Sequence, residues 1–225
     1  MLMNMEWSPD KVAVIGDLVR SKEAPDRRRL QADLSNALGE VNRLVEPLED
    51  LAPTIGDELQ GVFTDLPSAV RATLLLRLEL LMRGGVDARF GVGVGTIMVF
   101  SSERRITQDG PGWWSARTAI ERVEAMAREP RTAFLRTRVE LPEDGARVSR
   151  GEAAAVNAFL ISRDALIGQM TPRRRRLLLG LLKDRRQSEM AEEEQIYQSA
   201  VSQGLSKSGG YAIVAAEREL AGRVS

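Results

Sequence analysis

The chain has 225 residues, 43% hydrophobic and 28% charged, with 32 basic residues balancing 32 acidic ones. That length suits one large or two small globular domains, and the zero net charge gives no global pull toward nucleic acid or anionic lipid. Histidine and cysteine are both absent, which excludes Ser-His-Asp and Cys-His nucleophile systems, disulfides, haem, and any zinc held by cysteine or histidine.

Carboxylates are then the strong metal ligands that remain, and they favour hard cations such as Mg²⁺, Mn²⁺ or Ca²⁺. No apolar run approaches the roughly 20 residues of a membrane span, and Met1 to Lys11 lacks the pattern of a signal peptide, so a cytoplasmic protein with no membrane partner is expected. Charge is unevenly placed: Thr171 to Gly210 holds eight basic and five acidic residues, a local excess of three positive charges.

In chain order, Lys11 to Ile15 reads as a buried strand that stops at Gly16-Asp17. Pro25 opens a helix to about Glu46, with Leu30, Leu34, Leu38, Val41 and Val45 at helical spacing, and Pro47 ends it. Leu51 to Ile55 and Glu58 to Phe63 read as two strands around a tight turn at Gly56-Asp57. A second helix spans about Pro67 to Arg83, with Val70, Leu74, Leu78 and Leu81 buried, and Gly84-Gly85 closes it. Val86 to Val99 is the clearest strand. It contains Gly91, Gly93 and Gly95, whose presence demands close approach by another backbone or a ligand. Ser101 to Gly110 reads as a polar loop, Pro111 to about Arg128 as a third helix, and Ala133 to Glu140 as a strand.

This order is the split βαβ plan of ferredoxin-like and palm domains. The expected fold is therefore α+β: a palm-like antiparallel sheet domain over residues 1–145, a turn-rich boundary at Pro142 to Arg150, and an all-helical domain over residues 151–225.

In that topology Asp17 and Asp57 point at one spot. Two carboxylates there repel unless a cation or a basic partner neutralises them, and a Mg²⁺ completed by phosphate oxygens is one solution. The alternative is that each aspartate only caps a turn.

Four segments in order, Val14-Ile15-Gly16-Asp17, Thr54-Ile55-Gly56-Asp57-Glu58-Leu59-Gln60-Gly61, Arg89-Phe90-Gly91-Val92-Gly93-Val94-Gly95, and Asp109-Gly110-Pro111 followed by Ala116-Arg117, resemble the SatD family. That family in turn is similar to class III nucleotidyl cyclases. The resemblance implies that Asp17 and Asp57 are ligands of Mg²⁺ or Mn²⁺. It also implies that Gly16, Gly56, Glu58, Gly93, Gly95 and Arg117 border a nucleotide ligand, and that the protein is a homodimer. Two accessory positions depart from the cyclase pattern: Pro53 stands where a base-reading lysine is usual, and Trp114 or Ser115 where an asparagine helps stabilise the transition state. Phosphoryl-transfer chemistry depends on such positioning groups, so the departures argue against efficient cyclisation and leave binding intact.

Trp113 and Trp114, about 100° apart on a helix, cannot both be core residues. One stacks on a base or seals the pocket, or one is core and the other forms a domain or subunit contact.

The tail reads as a helix from Thr171-Pro172 through Leu177, Leu178, Leu181 and Leu182, then Gln187 to Ala191, a break near Gln195 to Tyr197, and a helix from Gln198. This is a helix-turn-helix pattern, and the family commonly ends in one. In a DNA complex Gln198, Ser199, Ser202 and Gln203 would face base edges, while Lys207 and the Arg173, Arg174 cluster meet phosphates. Glu192 to Glu194 and Gly204 depart from the pattern; a docking or dimerisation module with a solvated face is the alternative.

Three functional readings follow: a cytoplasmic regulator that binds a small ligand, a metal–nucleotide among the candidates, and double-stranded DNA; a Mg²⁺- or Mn²⁺-dependent nucleotidyl cyclase or nucleotidyltransferase; and a non-catalytic assembly scaffold. The first, in which the protein is not an enzyme, is preferred.

Overall fold

The computed structural model describes residues 4–222 apart from 24, 55, 103, 104 and 144. Ile55, the expected end of the second strand, and the first three residues of the expected leaderless start lie outside the described residues.

Six strands form one sheet: β1 (Asn4–Leu18), β2 (Glu49–Pro53), β3 (Glu58–Phe63), β4 (Ala88–Ser102), β5 (Arg105–Asp109) and β6 (Thr137–Glu140). The order is β2-β3-β1-β4-β5, with β6 beside β4. β1 is antiparallel to both β3 and β4, while β6 runs parallel to β4. With α1 (Arg27–Val45) and α2 (Leu66–Arg83), the first four strands make the ferredoxin-like βαββαβ unit. α1 buries Leu30, Leu34, Leu38 and Val41, as its spacing predicts, and Asp26 caps its N-terminus by accepting the Arg29 N–H at 3.0 Å.

The polar loop expected at Ser101 to Gly110 is corrected: β4 runs on to Ser102, and β5 returns alongside it, with Met98 opposite Asp109. The last strand is also shorter than expected, because residues 131–134 form a turn before Thr137.

α2 is buried on nearly every side. Leu75, Leu76 and Leu80 are as inaccessible as Val70, Leu74 and Leu78. A helix apolar all round must be covered all round, and the tail helices supply the second cover. α4 (Arg150–Gln169), α5 (Pro172–Leu182), α6 (Gln187–Glu193), α7 (Gln198–Lys207) and α8 (Gly210–Leu220) follow the sheet. Leu177, Leu178 and Leu182 of α5 and Ile213 of α8 join the same apolar core as α1, α2 and the inner face of the sheet.

A buried polar knot fastens α4 to β6. Asp164, wholly inaccessible, accepts the backbone N–H groups of Arg136 and Thr137, both at 2.8 Å, and Arg77 Nη1 at 3.1 Å. Arg163 beside it donates to the Val70 carbonyl and to Thr137 Oγ1. Asn157 donates to the Val139 carbonyl and accepts the Val139 N–H, both at 2.9 Å. Ser149 and Glu152 close a capping box at the start of α4.

Candidate functional site

α3 (Pro111–Arg128) lies on the sheet face opposite α1 and α2, over Ala13, Ile15, Val62 and Ile97. The alternation of β-strands decides what meets it. Opposite pairs place Asp17 beside Glu58 on one side and Arg89 on the other, at one end of the sheet.

The two aspartates come together there. Asp17 Oδ2 accepts Arg89 Nη2 at 2.8 Å, and Asp57 Oδ2 accepts the hydroxyl of the buried Ser21. Burial pushes the Asp17 carboxyl above its ordinary value; the Arg89 guanidinium opposes the rise, and the nearby Asp57 carboxylate adds to it. Arg89 also faces Glu124 of α3 at 3.8 Å, and its Nε is buried without a hydrogen-bond partner. Glu58 binds Arg117 through both oxygens, at 2.8 and 3.0 Å, and these bonds hold its carboxyl below its usual value. The result is a charged row across three strands and α3, with Asp17 and Glu58 side by side between Arg89 and Arg117.

One member of the acidic pair, Asp17, is therefore partnered by a basic side chain, and the other by a hydroxyl. Among the described residues no group of three acidic, histidine or cysteine side chains could hold a metal ion. Asp17 and Asp57 supply two carboxylates, and the guanidinium of Arg89 sits against one of them. Mg²⁺ or Mn²⁺ fits here only with an anionic ligand that both completes the coordination shell and draws Arg89 away.

The glycines divide by face. A Cβ on Gly91 would lie 2.2 Å from the Ala116 carbonyl oxygen, and one on Gly93 would lie 2.1 Å from that of Gly112. α3 thus rests directly on the strand. A Cβ on Gly95, whose φ is 155°, would lie 2.9 Å from the Gly112 nitrogen at the start of α3. The close approach is made by a helix backbone, so Gly93 and Gly95 serve helix packing. Gly16 points to the other face, where a Cβ would strike Leu59 at 2.8 Å; it too serves packing. Gly56, at φ 74°, forms the tight turn before Asp57, with open space around it.

α3 covers only part of its face. Beside it a cavity of about 730 Å³ runs from Thr54 and Arg117, near the aspartates, to Glu49 and Gln108 at the other end, over Ile15, Ala52 and Gln60. Trp113 and Trp114 form its wall; Trp113 is half-buried against the small core under α3, and Trp114 is 57% exposed. Asp17 and Asp57 do not line this cavity.

In the tail, α6 and α7 are joined through Glu194 to Tyr197, where Gln195 takes the left-handed conformation at φ 54°. Val201 and Leu205 are buried, and Ser199, Gln203 and Lys207 share the outward side of α7. Ser206 is also exposed there and was not anticipated. Gln198 is exposed, while Ser202 leans toward α8 and accepts the Tyr211 hydroxyl at 3.3 Å. Gly204 permits close packing, since a Cβ would come within 3.3 Å of Leu177. The arginines of α5 have partners: Arg173 and Arg176 pair with Glu194, and Arg175 donates to the carbonyls of Ile167 and Gly168 that end α4. Arg174 lines a groove of about 520 Å³ between α5 and α7.

Arg89, Ser21, Glu49 and Gln108 escaped sequence reasoning. Arg89 was legible in principle, since alternation along β4 puts it on the same face as Gly91 and Gly93.

Fold and site define a ferredoxin-like sheet protein with a charged strand-end site and a helical tail packed on its second helix. The SatD family matches residues 11–223, and the chain belongs to that family. No curated protein matches it. Among solved structures it is similar to the guanylate cyclase domain of RhGC from Catenaria anguillulae in complex with GTP, at 14% identity and a TM-score of 0.43, over 52% of this chain and 74% of that one. It is also similar to the adenylyl cyclase CyaB from P. aeruginosa, at 17% identity and a TM-score of 0.39, over 50% and 72%. A bacterial light-regulated adenylyl cyclase aligns at 14% identity and a TM-score of 0.45, over 60% and 44%.

Proposed function

We propose that this SatD family protein is a cytoplasmic regulator without catalytic turnover. Its sheet domain binds a phosphate-bearing small ligand, a nucleotide with its divalent cation, at the Asp17 and Asp57 end. Its α6–α7 unit binds duplex DNA as a helix-turn-helix, and the protein acts as a homodimer.

The observation that carries the ligand reading is the Asp17–Arg89 pair at 2.8 Å. It offers both a carboxylate ligand for a cation and a guanidinium for a phosphate. Pro53, and Trp114 or Ser115, at the positions where the resemblance to cyclases implies catalytic accessories, favour binding over chemistry. The DNA reading is supported by the outward row of Ser199, Gln203 and Lys207 and by the left-handed turn at Gln195. The engagement of Arg173 and Arg176 by Glu194 means that phosphates must compete for them.

Incubation with labelled ATP and GTP plus Mn²⁺ tests the first part. Saturable binding lost in Asp57→Ala, with no product, is expected; a cyclic or linked product lost in the same variant would establish an enzyme. Duplex binding that weakens with salt and in an Arg173→Ala, Arg174→Ala double variant tests the second part. If neither nucleotide nor DNA binds, the scaffold reading replaces this one.

A further inference from the structure

The cavity beside α3 is chemically different from the strand-end site. We propose that it is a separate binding site for a small organic cation, a quaternary ammonium or alkylated amine, held against the two indoles.

The first argument is how the indoles are held. Trp114 Nε1 donates to Asp109 Oδ1 at 2.6 Å. Trp113 Nε1 donates to Gln108 Oε1 at 3.2 Å, and the amide nitrogen of that glutamine donates to both oxygens of Glu49, at 2.5 and 2.6 Å. Each ring is thus fixed by its N–H, and each chain of hydrogen bonds involves a carboxylate. A carboxylate at an indole N–H pushes electron density into the ring, which strengthens the attraction of its face for a cation.

The second argument is charge. Glu49 and Asp50 line the cavity, and among the described residues Arg117 is its one cationic lining residue. That arginine is already neutralised by the two-oxygen bond to Glu58. The cavity is left with an uncompensated negative wall facing two aromatic rings. A phosphate is repelled by such a wall, and a neutral ring gains nothing from it; a cation gains from both sides.

The third is exposure. Trp114 is 57% exposed, an unusual state for the largest apolar side chain, and one that marks a surface built to be covered. A ligand stacked on it would cover that face. The floor, Ile15, Ala52 and Gly61, is apolar or small and suits the alkyl groups of such a cation.

The test uses the intact protein and two probes of matched shape. Choline carries the quaternary ammonium, and 3,3-dimethylbutan-1-ol is its neutral isostere. Tryptophan fluorescence is expected to change saturably with choline and not with the alcohol. Trp114→Leu, and separately Glu49→Gln, are expected to weaken choline binding by about fivefold or more, the range of a partly desolvated cation–π contact. Asp57→Ala is expected to leave choline binding unchanged, so loss of nucleotide binding there and loss of choline binding here are separate results. Equal responses to both probes, no saturable response to choline, or full retention in Trp114→Leu would overturn the proposal. So would a Trp114→Leu variant that turns a dimer into a monomer, by sedimentation, in a protein that does not bind choline; the exposed indole would then be a subunit contact.

Discussion

Replacing Asp164 with alanine tests the claim that the tail and the sheet domain are locked by charge as well as by apolar packing. Asp164 is fully buried and holds three donors: the N–H groups of Arg136 and Thr137, which begin β6, and the guanidinium of Arg77. Its neighbour Arg163 is equally buried, with Asp164 Oδ1 at 3.4 Å. Burial pulls the Arg163 pKa below its ordinary value, against the pull of Asp164 and Glu217. Removing one partner of a buried ion pair costs about 3–5 kcal/mol. The two orphaned amides would each add about 1–3 kcal/mol if independent, and less within one network. A loss of at least about 4 kcal/mol is expected, a large part of the roughly 5–15 kcal/mol that stabilises an ordinary protein. In urea melts followed by circular dichroism, with a slope of about 3 kcal/mol/M, the midpoint should fall by more than about 1 M. Asp164→Asn, which keeps the shape and one acceptor, should fall between. A loss below about 1 kcal/mol in the alanine variant, the range of a surface ion pair, would refute the reasoning.

Three further outcomes are expected. Gly93→Ala forces a methyl into the backbone of α3 and should destabilise by at least about 3 kcal/mol, above the usual range for overpacking, because the neighbouring atoms are main chain; thermal unfolding reads it, and an unchanged midpoint would refute the close packing of α3 on this strand. Glu217 is buried with neither carboxyl oxygen hydrogen-bonded and only Arg71 Nη1 at 3.6 Å as an ionic partner, and burial raises its pKa against the opposing charges of Arg163 and Arg71. Its folded state then binds the proton more tightly than the unfolded one, so the native protein loses stability as pH rises from the ordinary value of 4.5 through the raised one. Glu217→Gln removes that loss and should gain on the native protein as pH rises above 4.5 in denaturant titrations; a constant gap would contradict it. Arg89→Gln removes the charge that opposes the effect of burial on Asp17, so a carbon-detected NMR titration should show the Asp17 carboxyl protonating at higher pH than in the native protein.

The βαββαβ core was legible because its signals are local. Apolar spacing marked α1 and one face of α2, apolar runs marked the early strands, and Gly-Asp pairs marked the turns. What was missed depends on contacts distant in sequence. β5 carries Arg105, Gln108 and Asp109 and reads as loop until β4 is seen to extend beside it. The three glycines of β4 announced a close approach, but nothing local could say that a helix some 20 residues later makes it. Arg89 was quoted in the motif and given no role, since its partner Asp17 lies 72 residues away. α2 showed one apolar stripe on inspection, and its full burial became intelligible only with α5 and α8 against it.

The side chain of Asn157 behaves as a one-residue strand. By satisfying both main-chain groups of Val139, it gives β6 a neighbour that carries no further edge. A sheet margin closed in this way cannot recruit another strand at that point, which removes one common route to end-to-end aggregation. Association of two copies near β6 must then proceed through side-chain surfaces. Substituting Asn157 with leucine would keep the packing volume but reopen the edge, and so convert a stability residue into a determinant of solubility.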